Sequence, residues 1–82
     1  MEYKRVYESD EVHELYDWFK DVDYDGPLDM GHGRLVKNTK HTVKCLIMQT
    51  ENNIGNPNFS GLINQLSIIK DELIRQKLVD KQ

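Results

Sequence analysis

Apolar residues follow a helical period over much of the chain, with a polar, glycine-rich break near residue 30. From Ser9 onward, Val12, Leu15, Trp18 or Phe19, and Val22 recur at three- and four-residue spacing. Ser9 or Asp10 stands where an N-cap belongs, and acids crowd the first turn, where the positive end of the helix dipole favours them. This pattern predicts an acidic helix over 10–22. Ahead of it, residues 2–7 alternate loosely and suggest a short strand. The stretch from Asp23 to Gly33, DYDGPLDMGHG, holds three glycines and a proline and reads as loop.

The segment Arg34 to Ile54 supports two readings. As a helix it places Val36, Thr39, Val43, Ile47, Thr50 and Ile54 on one stripe, with Leu35 and Leu46 at its edge and Gly55 and Pro57 as a stop. As strands, its β-branched content and the run VKCLIMQT suit a small hairpin within 34–50. The single stripe explains more positions, so a helix over 34–54 is the preferred reading. Asn56 and Pro57 then form the N-cap and first residue of a last helix, 57–80. There Phe59, Leu62, Leu66, Ile69 and Leu73 step by alternating threes and fours, the spacing of a heptad seam. The expected fold is therefore all-α, an antiparallel helical hairpin with the acidic helix packed across it; an α+β fold is the alternative.

The last helix carries more apolar residues than one seam uses. Ile63, Ile68, Ile74, Leu78 and Val79 fall outside it and are candidate interface residues. Length sharpens this expectation. A single domain spanning 1–82 buries only about 60% of the surface its unfolded form exposes, so a shared interface would supplement a thin core. Homo-oligomerisation or a protein partner is expected. The chain has no alanine, which removes the best helix former and leaves helices to be held by packing.

Charge is unevenly distributed. Residues 1–29 carry ten acids against Lys4, Arg5 and Lys20, a balance of −7, whereas residues 30–50 carry Arg34, Lys37, Lys40 and Lys44 and no acid. Either the two segments neutralise each other, or each meets a partner of opposite charge. On the preferred helix Arg34, Lys37, His41 and Lys44 share a face, with Lys40 at its margin, so the stripe is a candidate site for a phosphate-bearing ligand, a nucleotide or nucleic acid. The net charge of −3 argues against non-specific duplex binding, and with no aromatic interleaved in the stripe any base stacking would have to come from Tyr or Trp residues elsewhere.

The densest chemical signal is the run from Asp21 to Asp29. Asp21, Asp23 and Asp25, with Gly26, a carbonyl at Pro27, an aliphatic at Leu28 and Asp29, resembles the front of an EF-hand calcium loop. That resemblance implies Ca2+ ligation by Asp21, Asp23, Asp25, Pro27 and Asp29. It departs from the family at His32, where a bidentate glutamate belongs, and no second loop is present to pair with it. An acidic turn accepting backbone N–H groups is the competing reading.

Catalytic residues are not expected. Cys45 and His41 form an i, i+4 thiol–imidazole pair without an orienting third group, and no phosphate loop, HExxH or nucleophile elbow occurs. The single cysteine excludes an intramolecular disulfide framework. No apolar run approaches the roughly 18 residues of a membrane span, and the N-terminus lacks a signal-peptide core, so a cytoplasmic location is expected. Small size, absent alanine and absent catalytic machinery resemble, in composition only, the accessory inhibitors that low-GC phages direct at host machinery. The expected function is a non-enzymatic regulator that self-associates and sequesters or blocks a partner. A phosphate-ligand binder and a degenerate calcium module are the alternatives, and no other cofactor is expected.

Overall fold

The computed structural model describes residues 10–80, with side chains from Val12 onward. The strand expected at 2–7 lies outside the described residues. The elements are α1 (Asp10–Lys20), β1 (Leu28–Gly31), β2 (Arg34–Val36), α2 (Thr39–Asn52) and α3 (Asn58–Arg75). The architecture is thus three helices with a small antiparallel hairpin.

Helix α1 forms where its apolar spacing places it. Val12, Leu15, Trp18, Phe19 and Val22 are all buried. Adjacent Trp18 and Phe19 meet edge to face, with centroids 5.0 Å apart. The N–H of Val22 donates to the carbonyl of Phe19 at 3.1 Å and closes the last turn.

The all-α expectation is corrected between residues 28 and 38. Residues 34–36 are not the start of a long helix; they form β2, paired with β1 in the register Leu28 to Val36 and Asp29 to Leu35. Nor does the hairpin lie within 34–50, because its first strand comes from the stretch read as loop. The turn accounts for the hairpin, and the cap at Thr39 accounts for the late start of the helix. Gly31, His32 and Gly33 have φ of 86°, 54° and 77°, a left-handed run that a helix cannot contain. Gly31 pairs with Arg34 across His32 and Gly33, and two central residues of positive φ are what a tight two-residue hairpin needs. Strand alternation then turns Leu28 into the core and leaves Asp29 and Leu35 exposed on the opposite face.

Helix α2 starts at Thr39 because the preceding acidic loop caps it. Both the backbone N–H and the hydroxyl of Thr39 donate to the carbonyl of Gly26, at 3.3 and 2.7 Å. The N–H of His41 donates to a carboxylate oxygen of Asp25 at 3.2 Å. From there the stripe holds: Thr39, Val43 and Thr50 are buried and Ile47 is half-buried. The buried Thr50 hydroxyl is satisfied by the carbonyl of Leu46, 2.6 Å away. Asn53 follows the helix, and Gly55 (φ 83°) makes the turn. The last helix starts at Asn58, one residue later than expected, so Pro57 rather than Asn56 takes the N-cap position; Pro57 already has helical angles, and the Asn56 carboxamide oxygen accepts the N–H of Asn58 at 3.0 Å.

Helix α3 is the centre of the molecule, packing against α1, α2 and β1. Its seam residues Leu66, Ile69 and Leu73 are buried and Phe59 and Leu62 half-buried. The helix ends at Arg75, short of the expected 80, because Lys77 takes φ 58°. The N–H of Lys77 reaches the carbonyl of Ile74 at 3.1 Å and that of Leu78 reaches Leu73 at 3.0 Å, a Schellman closure. The reversal packs Leu78 and Val79 against the core cluster. The Gln76 carboxamide completes the closure, donating to the carbonyl of Asp29 in β1 at 2.8 Å and to Glu72 at 2.9 Å. Among the described residues, no helix is long and apolar enough to cross a membrane.

Candidate functional site

The five candidate interface residues separate into two groups. Ile63, Ile74, Leu78 and Val79 are half-buried and pack against the core, so the molecule uses most of their surface itself. Two features account for this use: β1 adds a surface beside α3, and the chain folds back after Lys77. Ile68 remains 43% exposed. It shares a depression of ≈ 240 Å³ with Leu35, itself 57% exposed, together with Met30, Val36 and Leu46 and the polar Arg34, Thr42 and Gln65. Leu35 is absent from the sequence-based interface set, where the helical reading put it at the edge of a buried stripe. The spacing along the chain does not mark it, because a three-residue strand is too short to establish a period of two.

The candidate phosphate stripe does not assemble on one helix. Arg34 lies in β2 and Lys37 between β2 and α2, leaving Lys40, His41 and Lys44 on α2. Lys40 is already paired, its ammonium 3.2 Å from the Asp23 carboxylate. With the Asp25 cap on His41, this ion pair shows the acidic and basic segments meeting within the chain. The pair is exposed on both sides, so it fixes geometry more than it adds stability.

The acidic run likewise works as a cap and turn. Asp23 and Asp25 make the contacts just given, and the Asp29 carboxylate accepts the N–H of Gly31 at 2.8 Å. The carbonyl of Pro27 accepts the hydroxyl of Tyr24. Asp21 and Asp23 border one recess, which Leu78, Val79 and Asp80 close from the other side. Among the described residues, no three His, Cys, Asp or Glu side chains gather as a metal site. The exiting helix implied by the EF-hand resemblance is replaced by β1.

Cys45 is half-buried, and its Sγ lies 3.6 Å from His41 Nε2. The two touch as i, i+4 neighbours on α2.

One feature had no counterpart in the sequence reading. Helices α1 and α2 both pack on α3 and enclose between them a cleft of ≈ 470 Å³. Its walls are Phe19 and Val22 from the α1 side and Val43 and Ile47 from α2, with Tyr16 also present. Lys20, Lys40 and Lys44 line it against a single acid, Asp17. Burial raises the pKa of the Tyr16 phenol, and the Glu51 carboxylate raises it further. Comparison with protein-family models, with curated proteins and with solved structures gave no match to this chain.

Proposed function

We propose that this protein is a small non-enzymatic regulator that self-associates through the face formed by β2 and α3, and acts by sequestering or blocking a partner. The observation that carries this reading is the exposure of Leu35 and Ile68 in one depression, although 33 residues of sequence separate them. Two large aliphatics left in water beside half-buried Met30, Val36 and Leu46 gain about 25 cal/mol for each Å² of apolar surface that a second copy covers. The two-stranded sheet adds to the case, because the outer edge of β2 carries backbone groups that a neighbouring copy can pair.

The test is the association state in solution. Sedimentation equilibrium of the wild-type chain is expected to show a concentration-dependent oligomer. Ile68→Asp and Leu35→Asp should each shift it to monomer with an unchanged helical spectrum, since both side chains are exposed and neither substitution opens the core. A wild-type chain that stays monomeric up to millimolar concentration would refute the reading.

A further inference from the structure

We infer that the cleft between α1 and α2 binds a small amphiphile with an apolar body and one anionic head, of which a medium-chain carboxylate is the simplest case. Size comes first. At ≈ 470 Å³ the cleft falls within the range of about 300–1,000 Å³ occupied by small-ligand sites. The lining decides the ligand's body. Phe19 of α1, Val22 just after it, and Val43 and Ile47 of α2 form an apolar floor, largely covered except at Ile47, so the part of the occupant that meets it is apolar.

Charge decides its head. Three lysines line the cleft and one aspartate opposes them. Lys40 is held by Asp23, whereas Lys20 and Lys44 have no ion-pair partner among the described residues. Two uncommitted ammonium groups beside an apolar slot match one carboxylate or sulfonate. A nucleotide fits less well, because its base needs several hydrogen-bonding partners and the Thr39 hydroxyl is already spent on Gly26.

Calorimetry on the full chain tests the assignment with laurate, dodecanol and dodecyltrimethylammonium, all below their aggregation limits. Methyl NMR of Val22, Val43 and Ile47 reports the location. Laurate should bind with one-to-one stoichiometry and shift those methyls, binding on the order of tenfold more tightly than dodecanol. The cationic amphiphile should bind most weakly. The surface double variant Lys20→Gln/Lys44→Gln should reduce laurate affinity to that of dodecanol while leaving dodecanol unchanged. Absence of laurate binding would overturn the inference. So would equal affinity of laurate and dodecanol, or methyl shifts confined to Leu35 and Ile68. Because the readout uses a lining separate from the association face, either proposal can fail without the other.

Discussion

The carboxylate of Asp25 accepts the backbone N–H of His41, 16 residues further along the chain, at 3.2 Å. A helix leaves its first N–H groups unsatisfied, and α2 finds no side-chain cap from its own Asn38. The acidic loop supplies the missing acceptor and places its negative charge at the positive end of the α2 dipole. Asp25→Ala should therefore cost about 0.5–2 kcal/mol, the range for a lost N-cap, read from urea denaturation at neutral pH. Asp23→Ala, which removes only an exposed ion pair, should cost at most about 1 kcal/mol. With Asp25 committed to the cap, millimolar calcium should leave the melting temperature unchanged. A calcium-dependent rise would restore the EF-hand reading.

What was legible in the chain was what periodicity encodes. The stripes of α1 and α3 are complete within their own segments, so Val12 to Val22 and Leu66 to Leu73 could be placed in the core without knowing their neighbours. The hairpin was not legible in this way, because β1 and β2 are too short to establish a period and Val36 also fits the α2 stripe. What decides the matter is a cap delivered from Asp25 and Gly26, a tertiary contact that spacing within 34–54 does not contain. The same limit explains the sites. The α1–α2 cleft joins Phe19 to Val43 and Lys20 to Lys44 across elements that only α3 brings together, and the exposure of Leu35 depends on strand register.

The tight turn of the hairpin depends on backbone conformation rather than on packing. At Gly33 φ is 77°, and a side chain built there would meet nothing within 4 Å. Gly33→Ala should consequently destabilise by about 1–2 kcal/mol through the left-handed penalty alone. His32→Asn, which keeps a residue tolerant of positive φ at the first turn position, should be neutral or slightly stabilising. No loss for Gly33→Ala in thermal unfolding would show that the turn is not what holds β1 to β2.

Lys77 carries the same strain at the end of α3. Its φ of 58° is imposed by the Schellman closure, which glycine adopts without a Cβ penalty. Lys77→Gly should stabilise the fold by up to about 1 kcal/mol, less the greater freedom that glycine gives the unfolded chain. The gain should vanish if Leu78, whose N–H closes the motif on Leu73 and whose side chain packs on the core, is replaced by Ser. A stabilisation that persists in the Leu78→Ser background would show that relief of the positive φ at Lys77 does not depend on the docking of the Leu78 side chain.

Tyr16 makes stability depend on alkaline pH. Its phenol titrates above the ordinary value of 10.0, chiefly because burial disfavours the phenolate and secondly because Glu51 repels it. A group whose folded pKa is raised binds its proton more tightly in the folded state. The associated stability is complete below the unfolded value near 10.0 and is lost as pH climbs through the folded value. Tyrosine ring NMR should show Glu51→Gln moving the titration part of the way back, because burial, the larger cause, remains. Tyr16→Phe should remove this alkaline loss of stability while leaving the behaviour at pH 7 governed by packing. A Glu51→Gln chain whose Tyr16 titrates as in the wild type would mean that burial alone sets the shift and that the carboxylate is too well screened to contribute.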